Sequence, residues 1–179
     1  VFTTAYTGYE ESLTDPSYAE QVLTFSYPLI GNYGVREERF ESTTVQPRVA
    51  VAREFTDDVA DWLTEAGIPA VDGVDTRDIV TSVREEGAMR CGVAAGPDAT
   101  PEQAREQLDQ AIEMSDHDDI GATVSVSEPV HYPGDGARVA LIDCGAKKSI
   151  IDTLSERGAD VHVMPYDTTP EAVAALDTD

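Results

Sequence analysis

The chain has 179 residues, a hydrophobic content of 41% and a formal net charge of −23, which comes from 35 acidic and only 12 basic residues. Nucleic acids and anionic membranes carry the same sign of charge, so we exclude both as partners. No apolar run is long enough to cross a bilayer and no signal peptide is recognisable, so we expect a cytoplasmic protein.

The acidic residues are spread along the chain, as at Asp57-Asp58 and Glu85-Glu86, and are not collected in one tail. A disordered acidic tail would be clustered and poor in apolar residues. Molar salt shortens the screening length to about 3 Å, so a folded protein tolerates such self-repulsion there. We therefore predict a halophile's protein. The alternative is an ordinary acidic protein of high solubility.

From Val1 to about Tyr132, short strand-like runs alternate with helical patterns. The segment between Val1-Phe2 and Val22 to Phe25 is rich in turn-forming residues, which predicts a loop of fixed shape. Thr100 and Gln103 have the spacing of a capping box. Further strand-like runs lie at 49–52, 91–95 and 123–126. Helices are predicted from Thr56 to Gly67, from Asp75 or Thr76 to Gly87, and after Thr100.

After the turn-forming residues 133–136, the best linker in the chain, the pattern changes. Val139 to Ile142 is a continuous apolar run, typical of a parallel strand covered on both faces. A helix over Lys147 to Arg157 and a second strand over Val161 to Met164 complete a βαβ unit. The sequence therefore predicts an α/β protein with two domains, over 1–133 and 137–179, the second beginning a doubly wound sheet.

Ser17 is the candidate binding residue. Pro16 fixes its own φ and biases Asp15 towards extended geometry, so Ser17 lies on a stiffened loop between strands. A hydroxyl held there meets a ligand at little ordering cost. The alternative is that Ser17 merely closes a turn.

The cysteines and histidines suggest no further site. Cys91 and Cys144 are far apart in sequence, and we expect two reduced, buried thiols. His117, His131 and His162 are isolated, and no Cys/His spacing is typical of zinc. We therefore assign no metal ligand to the chain.

Three segments carry a family resemblance. They are TGYEESLTDPSYAEQVLTFSYPLIGNYG (7–34), VDTRDIVTSVREEGAMRCGV (74–93) and LIDCGAKKSII (141–151). In this order they resemble the small, glutamine-using subunit of carbamoyl phosphate synthetase, and the resemblance covers essentially the whole chain. The departures from the family's pattern are Glu10 for Gln, Ser26 for Thr and Ser149 for Asn.

The resemblance implies an N-terminal, swivelling-type small-subunit domain over 1–133 and the start of a class I glutamine amidotransferase domain over 137–179, both truncated. Such domains attack glutamine with a cysteine in G-x-C-x-G, helped by a histidine in H-x-E. Neither motif occurs in this sequence. Cys144 matches the domain's first strand instead. We therefore assign no catalytic residue, and we expect these residues alone to be inactive.

The resemblance also implies that Ser17 faces the interdomain cleft and helps to hold the substrate glutamine. The complete subunit would pass ammonia to a large subunit, which uses ATP and Mg²⁺ and forms carbamoyl phosphate for arginine and pyrimidine synthesis. No cofactor is expected in this chain. Two alternatives stay open: a non-catalytic docking module, and a nucleotide-binding α/β domain, which the missing glycine fingerprint disfavours.

Overall fold

The described residues of the computed structural model are 1–113 and 119–178. The chain divides into two units, Val1–Asp118 and Asp119–Asp179, which are treated separately below. Residues 133–136, the predicted linker, join two strands of the second unit. The domain bounds 1–133 and 137–179 stay a prediction. His117 lies outside the described residues.

A four-stranded parallel sheet with the order β1-β2-β4-β6 forms the centre of the first unit. The predicted strands at 22–25 and 49–52 are its two inner strands, β2 and β4. Strands β3 and β5 form a separate two-stranded parallel sheet. The strands are β1 Phe2–Thr3, β2 Val22–Phe25, β3 Leu29–Ile30, β4 Val49–Val51, β5 Glu54–Phe55 and β6 Ala70–Val71.

The described residues of the first unit form four α-helices: α1 Tyr9–Thr14, α2 Asp57–Glu65, α3 Thr76–Glu86 and α4 Pro101–Glu113. The predicted starts of the last three are confirmed. Asp75 accepts from the backbone N–H groups of Arg77 and Asp78, and Thr100 and Gln103 form the reciprocal cap. Side chains of α1, α2 and the strands pack into one core: Tyr9, Leu13, Leu23, Phe25, Ile30, Ala50, Ala52, Phe55, Val59 and Leu63.

The segment between β1 and β2 is not the loop that its composition predicts. It contains helix α1 and a short 3-10 helix, Pro16–Tyr18. Leu13 is fully buried and Tyr9 nearly so. Because burying these two side chains on one helical face favours the helix, tertiary packing outweighs the turn-forming composition.

The predicted strand over 91–95 is wrong, because these residues have no regular secondary structure. Gly92 lies against the backbone of helix α4: a Cβ there would meet the carbonyl of Ala104 and, at 2.5 Å, the nitrogen of Leu108. The segment therefore packs on a helix and pairs with no strand of the described residues. Cys91 is exposed, not buried as predicted.

The second unit has a three-stranded sheet with the order β7-β9-β8. Strands β8 and β9 are parallel, joined through helix α6, and pair Val139 with Val161, so the predicted βαβ unit is confirmed. Strand β7 is antiparallel to β9. The elements are α5 Ile120–Val124, β7 Val130–Tyr132, β8 Arg138–Asp143, α6 Lys148–Glu156, β9 Asp160–Pro165 and α7 Pro170–Ala174.

Three predictions for the second unit are wrong. Residues 123–126 do not form a strand, since Asp119 accepts from the N–H of Ala122 and starts helix α5. Strand β8 is not covered on both faces, since it lies at the edge of the sheet and Ile142 is 38% exposed. Cys144 follows that edge strand and is exposed, where a buried thiol was expected.

Parallel strands with helices between them confirm the α/β class for both units. Among the residues that the structure describes, no helix has the length and apolar character that a membrane crossing requires.

Candidate functional site

Ser17 lies in the 3-10 helix Pro16–Tyr18, and its side chain is exposed. Asp15 starts this helix: its Oδ1 accepts a hydrogen bond of 2.9 Å from the N–H of Ser17. The carbonyl of Asp15 accepts from Tyr18, and that of Pro16 accepts from Ala19. The hydroxyl of Ser17 is therefore presented to solvent from a backbone that is fixed on its N-terminal side.

An ion pair fixes the other end of the turn. Glu20 has a positive φ of 62°, a conformation that is uncommon outside glycine. Its two carboxylate oxygens accept from Nε and Nη2 of Arg48 at 2.7 and 2.6 Å. This bidentate contact raises the pKa of Arg48 above its ordinary value. Arg48 immediately precedes strand β4, so the turn is tied to the central sheet.

Thr14, the residue before Asp15, joins the turn to the segment 41–46. Its buried hydroxyl donates to the carbonyl of Glu10 and accepts from the N–H of Glu41. Its carbonyl accepts from the hydroxyl of Ser42 at 2.6 Å. A hydroxyl side chain suits this position because its single oxygen serves as both donor and acceptor.

Two stacked tyrosines connect helix α1 with the loop 31–36. The rings of Tyr9 and Tyr33 lie 4.4 Å apart between centroids. The hydroxyl of Tyr9 donates to the carbonyl of Gly34, and the hydroxyl of Tyr33 accepts from the N–H of Gly8 at 2.6 Å. Burial raises the pKa of Tyr9 to about 12, and burial also raises the pKa of Tyr33. Both phenols therefore stay neutral at ordinary pH.

A buried carboxylate lies beside these rings, and the sequence analysis did not identify it. Glu10 is fully buried, and its Oε1 accepts from Nε of Arg36 at 3.3 Å. Its Oε2 has no hydrogen-bond partner. The guanidinium of Arg36 lies 4.6 Å from the centroid of Tyr33, a cation–π distance. A glutamate in place of the family's glutamine is the signal that could have indicated this ion pair.

The contacts of Asp143 explain why the third family segment, 141–151, contains an aspartate and a glycine two residues apart. This buried carboxylate accepts through Oδ1 from the N–H groups of Gly145 and Ala146 at 3.0 and 2.7 Å, and through Oδ2 from Val126 at 2.8 Å. Cys144 lies within this tight turn, so the aspartate and glycine of the motif have a structural role.

One open cavity of about 480 Å³ lies in the first unit, between the end of α2 and β6. Its lining includes Phe55, Thr64, Ile68 and Asp72, and Ser17 is not part of it. Ser17 is exposed on a turn whose backbone is held by hydrogen bonds, and its hydroxyl can donate to a carboxylate or accept from an ammonium group. Its role in glutamine binding stays a prediction.

Comparison with known proteins shows which family this chain is similar to. The family model described as carbamoyl-phosphate synthase small chain, CPSase domain, matches residues 1–93. A carbamoyl phosphate synthase small chain of Halobacterium salinarum is 62% identical over 179 residues, 100% of this chain and 51% of that protein. Proteins of the same name from Listeria monocytogenes and Bacillus anthracis are 39% and 40% identical over 188 residues, again with 100% of this chain and with 51% and 50% of theirs. The chain thus spans about half the length of these relatives.

Proposed function

Because the chain belongs to the carbamoyl-phosphate synthase small chain family, we propose that it takes part in glutamine-dependent synthesis of carbamoyl phosphate. The observation that carries this proposal is the similarity to small chains along the whole sequence. In this role a small chain hydrolyses glutamine and passes ammonia to a large chain, which uses ATP, Mg²⁺ and bicarbonate. The product would enter arginine and pyrimidine synthesis.

Within that small chain, residues 1–133 would form the N-terminal, swivelling-type domain, and 137–179 would begin the class I amidotransferase domain. The N-terminal domain would contact the large chain and close one wall of the glutamine cleft. Closure matters chemically, because ammonia released into water would be protonated and lost.

The experiment is co-purification of a small chain of the full family length, which contains these residues, with a candidate large chain in molar KCl, followed by an assay of carbamoyl phosphate formed from glutamine. We expect a stable complex with glutamine-dependent activity. A small chain of the full family length that binds the large chain without supporting any use of glutamine would favour the docking module and contradict the proposal.

Ser17 would be the residue of this chain that contacts glutamine. Its exposure, the Asp15 cap and the Glu20–Arg48 ion pair support this role, since a residue whose backbone is already ordered loses little entropy on binding. A hydrogen bond to a charged group contributes about 1.5 kcal/mol or more, so its loss corresponds to about a tenfold change in affinity.

Ser17→Ala in the assembled complex should therefore raise the KM for glutamine about tenfold and leave ammonia-dependent synthesis unchanged. Ser12→Ala, the same substitution on the neighbouring helix α1, is the matched control and should change neither. Equal loss of both activities in Ser17→Ala would remove the assigned role.

A further inference from the structure

Three side chains of the second unit meet on one face of its sheet. His131 on β7 lies directly opposite His162 on β9 in the antiparallel pair. Asp160 precedes His162 by two residues on the same strand, so it projects from the same face. The backbone register alone therefore places two imidazoles and one carboxylate together.

The side-chain distances match this placement. Nε2 of His131 lies 2.6 Å from Oδ1 of Asp160, and Nε2 of His162 lies 3.4 Å from Oδ2. The two imidazole rings are nearly parallel, with centroids 4.2 Å apart. The three potential ligand atoms lie within 4.8 Å of one another.

Arg138 supports the carboxylate from the other side. It lies opposite Asp160 in the β8–β9 pair, and its Nε donates to Oδ2 at 2.9 Å. Its Nη1 donates to the carbonyl of Leu176 at 3.0 Å. Arg138 thus orients the carboxylate of Asp160, and Oδ1 of Asp160 faces His131.

We propose that His131, His162 and Asp160 form a site for a divalent transition metal of the Zn²⁺ type. Two imidazole nitrogens and one carboxylate oxygen are a ligand set that Zn²⁺ accepts, with water in the fourth position. Arg138 would keep its contact with Oδ2 as an outer partner that orients the ligand.

Binding such a metal requires the ring of His131 to rotate, because two nearly parallel imidazole rings cannot both direct a nitrogen at one ion. Metal–ligand distances of about 2.0–2.2 Å in a tetrahedral site place the ligand atoms roughly 3.3 Å apart. Nε2 of His131 must therefore move away from Oδ1 by less than about 1 Å. The side chain of His131 is 50% exposed, so it has room to rotate and the ion has a path from solvent. This inference does not depend on the proposed function.

The test is titration of the full chain, freed of metal by a chelator, with Zn²⁺ and separately with Co²⁺, whose visible absorption reports tetrahedral coordination. We expect one equivalent to bind with a tetrahedral Co²⁺ spectrum. His131→Ala and His162→Ala should each weaken binding at least about tenfold, by analogy with the loss of supporting partners at known sites. Asp135→Asn, an exposed acid in the turn between β7 and β8, is the matched control and should bind normally.

Asp160→Asn removes the charge at nearly constant volume and should also abolish the Co²⁺ spectrum. Circular dichroism checks its fold, and His131→Ala on the exposed strand β7 provides the same test if Asp160→Asn unfolds. No binding by the wild-type chain would overturn the proposal. Weak binding of several equivalents that persists in the histidine variants would also overturn it, because it would reflect the acidic surface alone.

Discussion

At the scale of single residues, the contacts of the first motif explain why its residue types occur together. Thr14 bridges two backbone segments, Asp15 caps the turn, and Tyr9 donates into the loop that contains Gly34. Several of these partners, among them Gly34, Glu41 and Ser42, lie more than 20 residues away in sequence. Ser17 differs from them because its side chain is exposed.

Tyr9 gives a prediction for alkaline pH. The pKa of Tyr9 is raised from 10.0 to about 12, so the folded chain holds this proton more tightly than the unfolded chain. The contribution to stability is complete below pH 10 and is lost as the pH rises towards 12. The pKa difference corresponds to about 2–3 kcal/mol. Urea unfolding at constant KCl, from about pH 8 upwards, measures this loss.

Tyr9→Phe is the matched variant for that measurement. At neutral pH it should be less stable by about 1 kcal/mol, because the hydrogen bond to Gly34 is lost. Its stability should fall less steeply than that of the wild type between pH 10 and 12. Parallel curves for the two proteins would show that Tyr9 has an ordinary pKa.

At the scale of elements, the sequence predicts a helix best where a capping residue marks its start. Thr56, Asp75 and Thr100 immediately precede helices α2, α3 and α4 as predicted. The side chains of Asp75 and Thr100 cap their helices, which is local chemistry, whereas Thr56 makes no side-chain cap hydrogen bond. Strands of two or three residues, such as β1 and β7, carry too few side chains for a recognisable period. Their existence depends on neighbours that are distant in the chain.

The difference between local contacts and contacts between distant residues also explains what could be predicted of the two candidate sites. The turn that holds the backbone of Ser17 follows from local chemistry at Asp15 and Pro16, and the sequence predicts it. The cluster of His131, Asp160 and His162 depends on the register of β7 with β9. Since β7 was not recognised, the two histidines were interpreted as isolated.

The loop after β3 provides a test of packing between elements. Gly31 has a φ of +113°, and a Cβ there would clash with Oγ1 of Thr56 and lie 2.8 Å from Cγ2 of Val59 on α2. Gly34 has a φ of +76° with nothing within 4 Å. Gly34→Ala should therefore cost about 1 kcal/mol through backbone strain alone. Gly31→Ala should cost about 3 kcal/mol, because overpacking adds to that strain.

Denaturant unfolding of both variants at one salt concentration measures these costs. Both glycines have positive φ values, so an alanine is strained at either position, and only at Gly31 does a clash with Thr56 and Val59 add to the cost. Similar losses of stability would mean that α2 moves away easily and that the loop is not held against it.

At the scale of the whole molecule, the net charge is the feature with the largest expected effect on stability. A net charge of −23 on 179 residues destabilises the compact state through self-repulsion unless salt screens it. The screening length grows from about 3 Å at 1 M salt to about 30 Å at 0.01 M. We therefore expect the melting temperature to fall steadily on dialysis from molar KCl into dilute buffer, and thermal unfolding followed by circular dichroism measures it.

A double variant serves as the control for this salt dependence. Glu65 and Glu86 are the last residues of α2 and α3, where a negative charge opposes the helix dipole. Glu65→Gln with Glu86→Gln removes two charges and should reduce the salt needed for a given stability. A melting temperature independent of KCl in both proteins would contradict the halophilic interpretation.

The central proposal is that a small chain containing these residues delivers nitrogen from glutamine and that Ser17 helps to bind that glutamine. The most direct measurement supplies the assembled complex with amide-¹⁵N glutamine and unlabelled ammonium together, and determines the isotope in carbamoyl phosphate by mass spectrometry. We expect mainly ¹⁵N product from the wild type, and a shift towards unlabelled product in Ser17→Ala at limiting glutamine. Product nitrogen drawn from ammonium by the wild type, or an unchanged isotope ratio in Ser17→Ala, would contradict the account.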